Sequence, residues 1–290
     1  MGLTRTELEA VRDLAATCVE TSGQDLKLVL GEPLEEPGEA CGSGQFLAVA
    51  GGRVIGYGGV DEGQDAEVCG MVHPDHRGCG VGAALLDACL RAASETGRKS
   101  VLVICEEAAP LAIDWMRRRG AELDSSELRM VLRLDAPDTN LWPVPGPQVD
   151  LRQSTPGDRK VLRNLLADGF PAMDAETLDL LLSRHDAIEE ESLIIWSGDR
   201  AVGTLRIIDT PKRSMIYGLV VDSVERGKGF GAAAMRQALE LLRKRGVEEV
   251  SLEVLPDNGP AVHIYSALGF RPVTTYRYMR VGCGQISARG

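Results

Sequence analysis

The chain has 290 residues, is 44% apolar and 26% charged, and sets 32 Lys+Arg against 43 Asp+Glu for a formal net charge of −11. This composition supports a packed core and excludes collagen-like, coiled-coil and low-complexity classes. There is no apolar run of about 18 residues and no apolar N-terminal block, which predicts a cytoplasmic protein with no membrane partner. The net acidity predicts no nucleic-acid partner, because a phosphate backbone calls for a concentrated cationic surface. Seven cysteines (18, 41, 69, 79, 89, 105 and 283) are odd in number and contain no C-x-x-C pair, which fits a reducing compartment.

In chain order, T-E-L-E at 6–9 reads as a helix start, with a Thr cap and an acid three residues on. Residues 31–44, GEPLEEPGEACGSG, are acidic and rich in breakers. The runs within 46–60, joined by Gly51-Gly52, have the chemistry of a hairpin. A strand at 66–73 then leads through an Arg-Gly-rich turn into a helix at 80–96, which Gly97 closes before a second strand at 100–106. Pro137, Pro143, Pro145 and Pro147 mark residues 135–149 as a semi-rigid linker between domains 1–134 and 150–290. Beyond it come a second helix start (T-P-G-D, 155–158), a helix at 175–184 and a hairpin within 192–208. A strand at 214–222, a helix at 229–245 closed by Gly246 and a strand at 249–255 complete the series.

The second half repeats the first. Residues 69–105 align with 218–254 without a gap at an offset of 149, which places Arg77 on Arg226, Gly78 on Gly227, Gly80 on Gly229 and Gly82 on Gly231, and the same offset carries Gly120 onto Gly269. Charge is not repeated: residues 1–147 hold 13 Lys+Arg and 24 Asp+Glu, whereas 148–290 hold 19 of each.

The repeated element is a glycine loop between a strand and a helix N-terminus. Glycines let the backbone approach a ligand and aim successive N–H groups at it, with the positive end of the helix dipole behind them, so a phosphate or pyrophosphate is the expected guest. A dinucleotide fold is one rival, since Gly78-x-Gly80-x-x-Ala83 and Gly227-x-Gly229-x-x-Ala232 satisfy that fingerprint and Glu106 or Glu253 lies about 20–25 residues on. That fingerprint follows the first strand of a parallel βαβ unit, however, and here an antiparallel hairpin comes first. An ordinary tight turn is the other rival.

R-x-x-G-x-G after a strand, followed by D-N-G-P-A-V-H-I-Y-S-A-L-G-F at 257–270, resembles the GNAT superfamily of acyl-CoA-dependent N-acyltransferases. The resemblance covers nearly the whole chain as two copies. It implies an α/β fold of two tandem GNAT-like domains, each a mixed, mostly antiparallel central sheet flanked by helices. It also implies acetyl-CoA as co-substrate, a small-molecule or peptide amine as acceptor, and no metal. The coenzyme would lie along Leu219, Val220 and Val221, with its pyrophosphate on Arg226, Gly227, Lys228, Gly229, Phe230 and Gly231. In the first copy the counterparts are Met71 and Val72, with Arg77, Gly78, Cys79, Gly80, Val81 and Gly82. Tyr265 matches the tyrosine that protonates the departing thiolate, and Asn258 the asparagine after the second strand.

At the same offset Tyr265 falls on Met116, Asn258 on Ala109 and Phe270 on Ala121, which makes the second copy the expected catalytic domain and the first a degenerate one. For the base that receives the amine proton, Glu253 is the first candidate, then Asp222, then Tyr217. The layout is similar to that of the mycothiol synthases, a tandem GNAT group that acetylates a cysteinyl glucosaminyl-inositol. That group carries an acid near the start of the strand before the loop, where this chain has Met215. A non-catalytic acyl-CoA-binding or sensing protein is the alternative from outside enzymology. Cys69, His73, His76 and Cys79 have a metal-like spacing, but strand alternation and the glycine loop claim them first.

Overall fold

The computed structural model describes residues 3–22, 26–28, 44–61, 65–135, 146–171, 173–183, 190–210 and 212–284. Most of the acidic 31–44 segment and of the Pro-rich linker lies outside them. The chain divides into two compact units, residues 1–127 with 274–290, and residues 128–273.

The first unit opens with α1 (Arg5–Ser22), whose buried Leu8, Val11, Leu14 and Cys18 recur every three or four residues along one face. Its capping box is Thr4 with Glu7, not Thr6 with Glu9: the Thr4 N–H donates to Glu7 Oε2 (2.9 Å) and the Glu7 N–H to Thr4 Oγ1 (3.3 Å). The reciprocal bonds hold the Glu7 carboxyl below its usual range. Strands β1 (Gly44–Ala50) and β2 (Arg53–Asp61) form the predicted hairpin, and β3 (Glu67–Val72) follows antiparallel. Then come α2 (Val81–Glu95), β4 (Ser100–Glu106), α3 (Pro110–Arg118) and β5 (Glu122–Arg133).

The second unit begins its own series with a short strand, β6 (Asp150–Gln153), that the sequence reading did not anticipate. The Thr155–Asp158 capping box is present, and a 3-10 turn leads into α4 (Arg159–Gly169). There follow α5 (Ala175–Ser183), β7 (Glu190–Ser197), β8 (Arg200–Thr210), β9 (Arg213–Val221), α6 (Phe230–Lys244), β10 (Glu249–Val254), α7 (Gly259–Ala267) and β11 (Arg271–Gly282).

Strand order is β1-β2-β3-β4-β11 in the first unit and β5-β10-β9-β8-β7-β6 in the second. All pairs are antiparallel except β3–β4 and β9–β10, so each sheet is mixed and mostly antiparallel. The order also moves the predicted boundaries. Residues 128–133 of β5 pair with β10, and residues 276–282 of β11 pair with β4. The last strand of each half therefore completes the sheet of the other, and the division at 134 and 150 read from the prolines gives way to one inside β5 and one inside β11.

The cores follow strand alternation. In the second unit Met130, Leu132, Leu205, Ile207, Ile216, Val250 and Leu252 face α6 and α7, where Ala234, Ala238 and Leu242 are fully buried. The opposite face sends Ile194 and Val220 against Leu162, Leu166 and Leu178 of α4 and α5. Met279 and Val281 of β11 lie in the first unit's core with Leu86, Leu90 and Val101.

Candidate active site

The two glycine loops take the same shape. Gly78 and Gly80 have φ of 77° and 85°, Gly227 and Gly229 have 76° and 87°, and Gly80 and Gly229 are the left-handed caps of α2 and α6. A Cβ on Gly78, Gly80 or Gly227 would meet nothing within 4 Å, so the backbone angle, not crowding, demands glycine there. The first N–H groups of a helix have no acceptor within the helix and are available to a ligand at the loop.

The arginines that open the loops are anchored to the strands before them. Arg77 Nε donates to Val72 O and Arg226 Nε to Val221 O, both at 3.0 Å, which staples each loop to the end of its strand. Arg226 also reaches Asp168 Oδ2 (3.1 Å) at the end of α4, and Asp168 accepts from the Ser223 N–H (2.8 Å). These partners hold the Asp168 carboxyl below the usual range, the serine bonds contributing most. Lys228 is drawn to Glu225 (2.9 Å), which Arg200 also contacts (2.7 Å). Asp222 is spent as a turn cap, accepting from the Val224 N–H (3.1 Å), just as His73 Nδ1 accepts from the Asp75 N–H (3.2 Å) in the first unit.

Beside each loop the sheet opens. Strands β9 and β10 pair in parallel only as far as Met215 and Ser251, and β3 and β4 only as far as Val68 and Val103, leaving the rest of each pair splayed. In the second unit β9 is also bulged: the register against β8 shifts between Thr204 and Arg206, and Gly218 has φ of 60°. Such a bulge re-aims the backbone groups that follow it, here Leu219 to Val221 at the mouth of the splay. Strand β3 pairs regularly with β2 and has no such feature.

On the loop side, a Cβ added to Gly231 would lie 3.5 Å from Val221 and 3.6 Å from Ile264, so α6, β9 and α7 converge. Tyr265 on α7 is 8% exposed and meets the ring of Phe270 edge-on at 6.0 Å. Burial pushes its phenol up to about 12. Asn258 caps α7 by accepting from the Ala261 N–H (3.3 Å), a bond that Ala109 cannot supply to α3.

On the other side of the sheet, alternation puts a polar row across four strands at the level of the splay. Arg129 stands opposite Glu253, Tyr217 stands opposite Arg206, and Glu253 and Tyr217 each lie two residues past the last paired residues of β10 and β9. The Arg206 guanidinium lies 5.9 Å from the Tyr217 ring centre, and Arg206 is only 4% exposed. Sequence reasoning found Glu253 and Tyr217 but missed Arg129 and Arg206; an arginine set between Leu205 and Ile207 on an inner strand was the available signal.

The sequence pattern of the Acetyltransferase (GNAT) family matches residues 8–121 and again 159–270. The chain belongs to the GNAT family of acetyltransferases. Relatives of this GNAT protein include a mycothiol acetyltransferase of Catenulispora acidiphila, 31% identical over 77% of this chain and 76% of its own length. A second, from Thermobispora bispora, is 30% identical over 90% of this chain and 92% of its own. Among solved structures, a GCN5-related N-acetyltransferase from Sphaerobacter thermophilus superposes with a TM-score of 0.73 at 23% identity, covering 94% of this chain and 92% of that one. A tandem GNAT protein from the clavulanic acid biosynthesis pathway gives 0.72 at 18% identity, covering 98% and 97%. These likenesses establish a tandem GNAT acetyltransferase, a family that generally uses acetyl-CoA.

The first GNAT unit keeps a cavity of about 760 Å³ that runs from the glycine loop through the splay between β3 and β4. Met116, the counterpart of Tyr265, lines it. Cys79 is exposed in that loop, while Cys69 is buried on β3. No helix among the described residues is long and apolar enough to cross a membrane.

Proposed function

We propose that the second unit transfers the acetyl group of acetyl-CoA to the primary amine of a small molecule, and that the acceptor is a cysteinyl glucosaminyl-inositol of the mycothiol type. The observation that carries the assignment to this unit is the polar row Arg129–Glu253–Tyr217–Arg206, which stands at the splay opposite the coenzyme loop. The mycothiol acetyltransferase relatives support the choice of acceptor.

The pantetheine arm would run along Leu219 to Val221, with the pyrophosphate on the amides of residues 227–231. The acceptor nitrogen attacks the thioester carbonyl carbon, so the N–C bond forms and the C–S bond breaks. The proton lost by the amine passes to Glu253, directly or through water, and the leaving thiolate takes the proton of Tyr265. No covalent enzyme intermediate is needed. A second reading, a different small primary amine, is favoured by Met215, which stands where the mycothiol group carries an acid.

The test is product mass after incubation with acetyl-CoA and a panel of amines that includes the cysteinyl acceptor. One acetyl group gained on the cysteinyl amine supports the full reading, and acetylation of another amine alone favours the second. Tight coenzyme binding with no turnover on any amine would overturn both in favour of a binding or sensing protein.

A further inference from the structure

The contacts of Arg226 fall into two sets. Its Nε holds Val221 O (3.0 Å), and the first unit repeats that bond between Arg77 and Val72 O. Its Nη2 turns to the last turn of α4, donating to Asp168 O (3.2 Å) and Asp168 Oδ2 (3.1 Å), and the same carboxylate oxygen accepts the Ser223 N–H (2.8 Å). In the first unit this second set is replaced. There α1 brings Cys18 to the carbonyl that Arg77 holds, its thiol donating to Val72 O (3.6 Å). At the 149 offset Ser223 falls on Pro74, which has no N–H to give. Yet Gly78 and Gly80 take the same backbone angles as Gly227 and Gly229. The glycine loop is thus built without an aspartate, and Asp168 serves something that only the second unit does.

The next residue shows what Asp168 positions. A Cβ on Gly169 would lie 2.4 Å from Val220 Cγ2 and 2.6 Å from Cγ1, far inside contact distance, so the end of α4 rests directly on Val220. Val220 is the middle of the strand segment proposed for the thioester. It shares a sheet face with Arg206, because it pairs with Thr204, two residues before Arg206 on β8. The end of α4 is therefore a wall of the space in which an acceptor nitrogen would meet the thioester carbonyl. The Arg226 and Asp168 side chains are 54% and 35% exposed, and an ion pair so open to water adds little to global stability. Its effect is to fix where α4 ends.

We propose that Asp168 is a positioning residue of the second unit, tying the acceptor wall at the end of α4 to the coenzyme loop through Arg226 and Ser223. This rests on the reading that acetyl-CoA and its acceptor meet in the second unit, and the experiment has an arm for each. Asp168→Cys and Ser223→Pro write the first unit's residues into the full chain, and Asp168→Asn keeps an oxygen for the Ser223 N–H. Hydrogen exchange is followed at residues 166–170 and 227–231 with and without acetyl-CoA, and steady-state kinetics are run with the cysteinyl acceptor and the amine panel.

In the wild type, acetyl-CoA should slow exchange at both segments by ~10-fold or more. In Asp168→Cys and Ser223→Pro the slowing should remain at 227–231 and vanish at 166–170. The Kd for acetyl-CoA should stay within ~3-fold of the wild type while kcat/KM for the acceptor falls ~10-fold, with Asp168→Asn between, as a misplaced wall requires. Kinetics equal to the wild type in all three variants, with only Tm lowered, would overturn the proposal. So would slowing at 166–170 that survives Asp168→Cys. A wild type that shows the coupled slowing but acetylates no amine would instead overturn the proposed function and support the tie.

Discussion

In the proposed reaction Tyr265 acts through its proton rather than its ring. Its phenol is buried beside Phe270 and pushed up to about 12, so at ordinary pH it is fully protonated and able to donate. As a donor it is present below that value and lost only as pH rises through it; kcat of the wild type is therefore expected to show no Tyr265-dependent fall up to about pH 10. Tyr265→Phe keeps the ring and removes the proton, and should lower kcat by ~10²-fold with little change in the KM for acetyl-CoA, as a general-acid role requires. Steady-state kinetics over pH checks both, and an unchanged kcat would remove Tyr265 from the chemistry. Met116 offers the first unit no such proton.

Among elements, the strand exchange carries the sharpest expectation. Residues 274–282 belong to the first unit, although they follow the last helix of the second. Tyr278, Met279 and Val281 are all buried there, at ~1.5–3 kcal/mol each for the apolar portions. Tyr278 also hydrogen-bonds Glu127, and Lys27 donates to its hydroxyl (2.6 Å). A chain ending at Val273 should therefore lose hydrogen-exchange protection in β4, in the first unit, and keep it in β9 and β10 of the second. Loss in the second unit alone would contradict the exchange. The bulge at Gly218 is the other decisive element, because β9 has it and its counterpart β3 does not.

For the whole molecule, the −11 divides differently in space than along the chain. Residues 1–127 with 274–290 carry 14 Lys+Arg and 22 Asp+Glu, a net of −8, and residues 128–273 carry 18 and 21, a net of −3. Coenzyme A is itself anionic, and the loop cations beside its expected site are already engaged, Arg226 with Asp168 and Lys228 with Glu225. At the proposed site, backbone amides and helix dipoles would supply the local attraction while the long-range field repels. Raising salt from ~0.02 to ~0.15 M should raise the association rate of acetyl-CoA by about two-fold, measured by stopped flow, because screening weakens the repulsion. A fall in rate would show that free cations steer the coenzyme.

The sequence by itself determined what depends on local chemistry. Gly78, Gly80, Gly227 and Gly229 mark the loops because only glycine adopts their backbone angles readily; Thr155 and Asp158 mark a helix start because the bonds they make span three residues; and apolar alternation marks the strands. The repeat then identified the family, and the losses at Met116 and Ala109 separated the two halves. The tertiary structure decided whatever depends on partners distant in the chain. It showed that β5 and β11 complete each other's sheets, since pairing is chosen by edges and faces that no local signal encodes. It showed that Arg226 and Arg77 fasten strand ends, that Asp222 caps a turn, and that one extra residue at Gly218 shifts a register. It also set Arg129 beside Glu253 on one lip of the splay and Arg206 beside Tyr217 on the other, because strand pairing brings together side chains that sequence separation keeps far apart.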